Sequence, residues 1–166
     1  MKPILIVSIV SIFLLAACSA NTPQKSQYYL LNSPTSTNNV NIRHENSQKI
    51  TLTLLELPDY LKQPSLVLQL SNHQLHYSHF HMWAEPLHGS FLEALSQDLN
   101  HISSDFHYII TKASNQNSST NALFVKLSAF HATHQSQAIL TGTYWLQGQD
   151  LKSKTEEHNF KLTVAL

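Results

Sequence analysis

Cysteine, glycine and charged side chains are all scarce in this sequence. Its 166 residues include one cysteine and three glycines, and only 12% of them are charged, with no net charge at pH 7. One cysteine excludes a disulfide within the chain, and three glycines are too few for loops that cradle phosphate. Balanced charge offers no basic patch, so we expect no nucleic acid among the partners. Low net charge does permit association with a protein partner or into a homo-oligomer.

The sequence also lacks the motifs that carry catalysis. It has no G-x-S-x-G nucleophile elbow, and Ser90, which follows Gly89, lies in a predicted helix where its hydroxyl bonds the backbone. The neighbouring carboxylates of Glu156 and Glu157 lie in a polar turn and indicate solvated charge. We therefore predict that the protein is not an enzyme. A hydrolase would rest only on the serines and histidines that the chain contains.

Histidine is the residue that the sequence has in excess, at eleven positions. These include one group at His73, His76, His79 and His81 and one pair at His131 and His134. In a strand, His79 and His81 share one face and His76 points to the other, whereas a zinc site needs three or four converging ligands. No cysteine or acidic residue within the group completes such a set. We interpret the histidines as polar surface, with His79 and His81 as the remaining metal-ligand candidates.

The first residues have the pattern of a bacterial lipoprotein leader. Lys2 precedes an apolar stretch over residues 4–17, which is shorter than the roughly 20 residues of a membrane-spanning helix. The stretch ends in Leu-Ala-Ala-Cys, at Cys18, and this resembles the lipobox: small residues fit the peptidase groove and the thiol receives a diacylglycerol. We predict a signal peptide over residues 1–17 and a lipid on Cys18. The alternative is a short apolar N-terminus with a buried free cysteine.

Lipidation of Cys18 has consequences for location and domain organisation. Two or three acyl chains hold a protein stably on a bilayer, where one chain does not. The next residue is Ser19 rather than the aspartate that favours inner-membrane retention, so we expect the periplasmic leaflet of the outer membrane. No later stretch is long and apolar enough to span a membrane. We expect a lipidated tether over residues 18–27, a single periplasmic domain over residues 28–166, and no cofactor besides the covalent lipid.

Hydrophobic patterning predicts an α+β fold. Apolar runs and alternations predict strands over residues 28–31, 50–57, 65–70, 75–82, 106–111, 122–130, 138–146 and 159–166. One amphipathic helix is predicted over residues 86–102, with Pro86 at its first position and an apolar stripe formed by Leu87, Phe91, Ala94, Leu95, Leu99 and Ile102. Short joints arrange the last three strands as an antiparallel meander. We predict a mainly antiparallel sheet with this helix packed on one face.

Three segments behind the lipobox together resemble the PqiC/YmbA-like family of ABC-type transport auxiliary lipoproteins. The first segment consists of Tyr28, Tyr29, Leu30 and Leu31. The second follows a strand and consists of Leu57, Pro58, Asp59, Tyr60 and Leu61. The third leads into the helix and consists of Trp83, Ala84, Glu85, Pro86 and Leu87. Their order and spacing carry the resemblance, which extends from residue 28 to the strand predicted over residues 138–146.

The resemblance implies a periplasm-facing lipoprotein that works with an MCE-domain transport protein in envelope lipid transport. Candidate contacts with that partner are Tyr28, Tyr29, Leu30, Pro58, Asp59, Tyr60, Leu61, Trp83, Glu85, Pro86 and Leu87. These residues also have a structural interpretation, in which the second segment turns the chain and the third fills the core and begins the helix. Family members continue into a C-terminal helix, which this sequence does not show before Leu166. We therefore expect one sheet face to be exposed, covered by a neighbouring subunit, or incompletely folded.

Two functional hypotheses follow from these features. In the first, a non-enzymatic subunit docks a periplasmic lipid transport assembly to the outer membrane through its lipid anchor. In the second, a stand-alone lipoprotein binds a lipid or a metal in a pocket of its own, which requires a concave apolar cavity. Co-purification with an MCE-domain protein favours the first hypothesis, and a stoichiometric bound lipid favours the second.

Overall fold

The hydrophobic alternation produces eight strands and one α-helix in the computed structural model, which describes residues 24–31, 47–110, 121–148 and 156–166. The elements are β1 (Gln27–Tyr29), β2 (Gln48–Glu56), β3 (Ser65–Ser71), β4 (Gln74–Trp83), α1 (Leu87–Ile102), β5 (Phe106–Ile110), β6 (Asn121–Thr133), β7 (Gln137–Gln147) and β8 (His158–Ala165). A 3-10 turn, Asp59–Leu61, follows β2. Each predicted strand and the predicted helix has its counterpart. The predicted signal peptide, Cys18 and the first part of the tether lie outside the described residues.

All eight of these strands belong to one sheet, which is organised around β6, the longest of them at 13 residues. One edge of β6 pairs antiparallel with β7, which pairs antiparallel with β8. Along the other edge, the first half of β6 pairs parallel with β2 and its last residues pair parallel with β3. The sheet therefore forks. One branch continues to β5, and the other continues through β4 to β1.

The α+β class, the final meander and the helix packed on the sheet are confirmed. The two longest pairings, β6 with β7 and β7 with β8, are antiparallel as predicted. Four shorter pairings are parallel. Alternation alone does not predict strand direction, because side chains repeat every two residues in either direction. Parallel neighbours require a crossover, such as the one from β2 through α1 to β5.

The hydrophobic core lies between α1 and the centre of the sheet. Leu52 of β2 and Leu127 of β6 are the largest completely buried side chains. Phe91 and Leu92 of α1 belong to the same cluster. Burial of side chains of this size stabilises the fold by about 1.5–3 kcal/mol each, before the entropy of ordering them is subtracted.

Helix α1 has nearly the predicted bounds and most of the predicted stripe. Leu87 and Phe91 are buried as predicted, and Leu92, which the stripe omitted, is buried as well. Ile102 was assigned to the stripe but is 77% exposed, so this assignment is wrong. The reason is that Ile102 ends the helix, well past its last buried residue, Ser96.

Polar side chains join the end of α1 to the edge strand β5. Asn100 Nδ2 donates to the Tyr108 carbonyl at 2.8 Å, and Asn100 Oδ1 accepts from the Tyr108 amide at 2.8 Å. Ser96 Oγ donates to the same carbonyl at 3.1 Å. One side-chain amide thus bonds both backbone groups of Tyr108, as a neighbouring strand does. This arrangement covers part of an edge that is otherwise open to strand pairing.

The side of the sheet that carries α1 continues over β7 and β8 with exposed apolar side chains. Leu146, Leu162 and Val164 are 55%, 56% and 63% exposed. Leu162 pairs with Leu140, which packs against the core together with Phe160. Within the described residues, β7 and β8 therefore carry exposed apolar side chains on this face of the sheet. No helix within the described ranges is both long enough and apolar enough to cross a membrane.

Candidate functional site

The three segments that resemble the lipoprotein family meet at one end of the sheet. Tyr29 pairs with Trp83 where β1 runs parallel to β4, and the Ala84 amide donates to the Tyr29 carbonyl at 2.8 Å. The Trp83 amide donates to the Pro64 carbonyl at 2.7 Å. Backbone hydrogen bonds thus connect residues 28–31 and 83–87 with each other and with Pro64, in the loop directly after the second segment, and Leu57 and Leu61 of that segment belong to the same core cluster as Leu87. The second segment is taken from here on together with this loop, as residues 57–64. We call these three segments together the junction.

The second segment of the junction is a tight turn that Pro58 begins. Pro58 has a φ of −53°, which suits a turn and ends strand pairing, and its carbonyl accepts from the Leu61 amide at 2.9 Å. Leu61 packs inward and is only 3% exposed. Asp59 and Lys62 form an exposed ion pair, and the hydrogen bond and charge of Lys62 lower the pKa of the Asp59 carboxyl. Exposed pairs of this kind contribute little to stability.

Tyr60 leaves the same turn and reaches β6. Its Oη lies 3.1 Å from His131 Nδ1, and His131 Nε2 lies 3.3 Å from Gln69 Oε1 on β3. Burial raises the pKa of the Tyr60 phenol and lowers the pKa of the His131 imidazole. In both groups burial disfavours the charged form. At neutral pH the three side chains therefore form an uncharged chain of hydrogen bonds that holds the turn on the sheet.

Trp83 is held in place by an aromatic cluster. Its ring stacks on Phe130 of β6, with ring centroids 5.9 Å apart and planes at 14°. Phe91 of α1 meets the same Phe130 edge-on, with centroids 6.5 Å apart. A bulge in β6 between Leu127 and Ala129 shifts the alternation, which lets Phe130 face the core. Phe130 thus supports both the junction and the helix.

The third segment begins α1. Pro86 is the capping residue rather than the first helical residue as predicted, and its carbonyl accepts from the amides of Gly89 at 3.1 Å and Ser90 at 3.3 Å. Its fixed φ of −56° suits that position. Glu85 is exposed beside the positive end of the helix, whereas Leu87 is 4% exposed and belongs to the core.

A groove of about 250 Å³ opens in the junction. It is lined by Lys62, Gln63, Pro64, Trp83, Ala84, Glu85, Pro86 and Leu87. The lining contains no hydroxyl, thiol or imidazole, and its two charged residues, Lys62 and Glu85, have opposite signs. A mostly apolar surface with one basic and one acidic side chain suits the binding of a protein segment rather than bond cleavage.

The first segment adds exposed apolar side chains. Tyr28, Tyr29 and Leu30 are 65%, 37% and 50% exposed. Tyr29 Oη donates to Gln27 Oε1 at 2.7 Å and lies 2.7 Å from His81 Nδ1. The Tyr29 carbonyl accepts from the Ala84 amide, so these side chains lie where the first segment is joined to the third. They extend the apolar surface of the junction.

The histidine group does not form the predicted arrangement. β4 has extra residues relative to β3, because the register shifts between the pairs Ser65–Met82 and Val67–Tyr77. The prediction that His79 shares a face with His81 assumed an uninterrupted strand. Instead, His79 contacts the ring of His76, with centroids 6.3 Å apart, while His81 bonds Tyr29. Within the described residues, no three metal-binding side chains are close enough to hold an ion.

A second depression of about 310 Å³ lies over β6, β7 and β8. Lys126 and Lys161 line it together with hydroxyl side chains. Lys126 forms an ion pair with Glu56, and the pKa of Lys126 is raised by the hydrogen bond and the charge of that carboxylate. The ion pair leaves less positive charge for an anionic ligand.

The sequence singles out the three segments that meet in the junction, but it does not indicate the residues that support them. Phe130, His131 and Gln69 were read only as strand or surface residues. Their positions in the sequence give no indication of the site, because the three residues come together only in the folded sheet. Gln69 of β3, for example, reaches the end of β6 only through the short parallel pairing of these two strands. The bulge that turns Phe130 inward has no glycine or proline to mark it.

Comparison with known proteins assigns the class. The sequence matches the family described as the ABC-type transport auxiliary lipoprotein component over residues 29–166. Because the match covers most of the chain, the protein belongs to this family of membrane-anchored lipoproteins with a transport-associated role. The family is not a known enzyme family. No curated protein matches the sequence significantly.

Solved structures support the fold. A crystal structure of an uncharacterized protein has a TM-score of 0.67 and 19% identity, with 85% of this chain and 80% of that chain covered. The crystal structure of a Xanthomonas campestris protein of the DUF330 family has a TM-score of 0.54 and 13% identity, with 70% and 66% covered. At these identities the likeness shows the fold alone.

Proposed function

We propose that the protein is an auxiliary subunit of an MCE/ABC-type envelope lipid transport system, anchored through Cys18 in the periplasmic leaflet of the outer membrane. It docks the periplasmic assembly to that membrane and so supports membrane integrity. Membership of the transport auxiliary lipoprotein family supports the transport role. The lipobox and Ser19 after it support the anchor and the choice of membrane.

The observation that carries the proposal is the meeting of three sequence-distant segments in one junction. Backbone hydrogen bonds from Trp83 and Ala84 hold the segments together. Tyr28 and Leu30 of the first segment remain largely exposed, and a groove of about 250 Å³ opens between the second and third segments. Exposed aromatic and aliphatic side chains around a groove are typical of the centre of a protein interface. The junction is therefore the proposed contact with the MCE-domain partner.

The chemistry of the junction favours docking over catalysis. Its groove lacks a hydroxyl, a thiol and an imidazole, and Tyr60 and His131, which lie outside the lining, are hydrogen-bonded to each other. Lys62 is already paired with Asp59. The groove suits an apolar side chain of the partner, with Lys62 and Glu85 orienting the segment that carries it.

Co-purification with matched variants tests this docking. The lipidated protein is solubilised with its native membrane, and the MCE-domain protein that co-elutes is quantified. Leu30→Asp puts a charge into the junction and is expected to lower recovery of the partner at least about tenfold, the effect of losing roughly 1.4 kcal/mol of binding. Leu70→Asp is the control, because Leu70 is 40% exposed at the opposite end of the β3–β4 hairpin.

Equal recovery with both variants would place the contact elsewhere. If the partner is absent even from the wild-type eluate and one lipid per chain is bound instead, the stand-alone lipid-binding hypothesis replaces this one. That alternative has less support, because the two described depressions of about 250 and 310 Å³ lie at or below the small end of ligand pockets.

Membrane fractionation tests the anchor separately. Cys18→Ala removes the acceptor thiol and is expected to leave the chain uncleaved and unacylated. Ser19→Asp keeps the lipid and is expected to move the protein to the inner-membrane fraction. An unchanged distribution in the Ser19→Asp variant contradicts the proposed sorting.

A further inference from the structure

Two hairpin turns and the last residues of β8 lie together at the end of the sheet that is far from the junction. The β3–β4 turn consists of residues 72–73 and the β6–β7 turn of residues 134–136. In the second turn, the His134 amide donates to β3 at 2.9 Å and the Ser136 carbonyl accepts from the chain at the end of β8 at 2.8 Å. We call residues 72–73, 134–136 and 163–166 the hairpin end.

Strand β1 enters the junction from the side of the hairpin end. It runs parallel to β4, with Gln27 paired to His81 and Tyr29 paired to Trp83. β4 begins at the β3–β4 turn and ends at Trp83 in the junction. Since the two strands run in the same direction, the N-terminal end of β1 points toward the hairpin end.

The chain between Cys18 and β1 is short. Cys18 lies nine residues before Gln27, so these residues span at most about 30 Å when fully extended. β3 covers the distance from the junction to the hairpin end with seven residues, or about 23 Å at the usual strand rise. A lipid on Cys18 therefore reaches the hairpin end and extends no more than about 10 Å beyond it. To place the junction on the bilayer instead, the chain would have to reverse its direction directly before β1.

Charged side chains are missing from the hairpin end and from the strand residues next to it. In this described part of the sheet, Asp, Glu, Lys and Arg are absent from residues 69–77, 131–141 and 162–166. The junction, by contrast, carries charged side chains such as Lys62 and Glu85. Transfer of a charged side chain out of water costs much more free energy than transfer of an uncharged one. The hairpin end is therefore the end that approaches a bilayer at the lower cost.

Apolar and histidine side chains take the place of charges at the hairpin end. Val164 and Leu166 are 63% and 73% exposed, and contact with the bilayer interface removes such apolar surface from water. His73 and His134 lie in the two turns and are exposed. A histidine never carries negative charge, so anionic lipid headgroups do not repel these side chains. The composition of the hairpin end thus suits a lipid surface.

We infer that the hairpin end lies against the bilayer that holds the lipid on Cys18, so that the junction points away from the membrane. The inference rests on the proposed lipid at Cys18, but it does not depend on the identity of the partner. The two ends of the sheet then have different contacts, lipid headgroups at the hairpin end and a periplasmic protein at the junction.

Fluorescence quenching in vesicles tests the inference. The lipidated protein is reconstituted with phosphatidylethanolamine and phosphatidylglycerol, with and without a phospholipid that carries a spin-label quencher on its headgroup. Cys18 is the only cysteine and its sulfur is the proposed lipid site, so an introduced cysteine is the single free thiol for a fluorophore. The fluorophore on His73→Cys is expected to lose emission to the quencher. The fluorophore on Glu85→Cys, beside the groove of the junction, is expected to keep its emission.

A matched pair of charge variants tests the contact itself. Val164→Glu puts a charge into the hairpin end and is expected to reduce the quenching at position 73. Ile102→Glu puts the same charge on a side chain that is 77% exposed at the end of α1, and is expected to leave the quenching unchanged.

Mass spectrometry of the same samples reports acylation and separates the possible failures. If Cys18 is acylated and the two fluorophores are quenched equally, or the one at position 85 more strongly, the inference is overturned while the docking proposal stands. Quenching at position 73 that is the same in Val164→Glu and Ile102→Glu also overturns it. A chain without acyl groups overturns the proposed anchor and the inference together.

Discussion

Replacing Phe130 with alanine removes the side chain on which the junction and the helix both rest. Phe130 stacks with Trp83 at 5.9 Å and meets Phe91 edge-on at 6.5 Å. Truncating a core phenylalanine costs about 3–5 kcal/mol, and a partly buried one lies toward the low end of that range. The two ring contacts contribute about 0.5–1.5 kcal/mol each within this loss. We expect Phe130→Ala to lower the free energy of unfolding by about 3 kcal/mol, a large share of the roughly 5–15 kcal/mol typical of a domain.

Urea unfolding of residues 18–166, produced without the signal peptide and kept unacylated by Cys18→Ser, measures this loss. Phe106→Ala is the control, because Phe106 lies on the edge strand β5 and is 37% exposed. It is expected to cost less than about 1.5 kcal/mol, in line with the smaller area it buries. If both variants lose the same free energy, the aromatic cluster does not support the junction and the reasoning is refuted.

Three further predictions concern other contacts. Gly142→Ala is expected to destabilise by about 1–3 kcal/mol in urea, because a Cβ at Gly142 would overlap the Lys126 carbonyl oxygen and lie 2.8 Å from the Phe160 ring. A Cβ at Gly89 would meet no atom within 4 Å, so Gly89→Ala is expected to stabilise by about 0.5–1 kcal/mol. If Gly89→Ala destabilises the protein more than Gly142→Ala, the packing described is contradicted. Asn100→Ala removes the side-chain acceptor of the Tyr108 amide, while Ser96 still donates to the Tyr108 carbonyl, and is expected to cost about 1–3 kcal/mol, whereas the exposed Asp98→Ala changes little. Burial lowers the pKa of His131 below the ordinary value of 6.5, so the folded state binds fewer protons than the unfolded state. The neutral His131 therefore contributes stability above pH 6.5, and this contribution is lost as the pH falls through its lowered pKa. His131→Gln is expected to flatten this part of the stability–pH curve, measured by thermal unfolding.

The order and type of the elements could be predicted from the sequence because local patterning determines them. Alternation over residues 50–57 and the stripe from Leu87 to Leu99 need only neighbouring residues to be recognised. The forked sheet needed more information. Its parallel pairings depend on which strands meet after the crossover through α1, and local patterning does not encode that choice.

The candidate site was predictable in part for the same reason. Pro58 and Pro86 mark a turn and a helix start by their own backbone geometry, so their segments stand out in the sequence. Phe130 and His131 gain their roles only from the bulge in β6 and from long-range contacts. The prediction that His76 points away from His79 was wrong, because a register shift in β4, which alternation does not predict, brings their rings to 6.3 Å.

A photo-crosslinking amino acid in the junction tests the central claim most directly. Glu85 and Glu93 are both exposed glutamates, one beside the groove and the other on α1 outside its lining. With the probe at position 85, irradiated cells are expected to yield a covalent product that contains the MCE-domain transport protein, and with the probe at position 93 they are not. Equal labelling from both positions, or from neither while the protein is lipidated and in the outer membrane, would contradict the account.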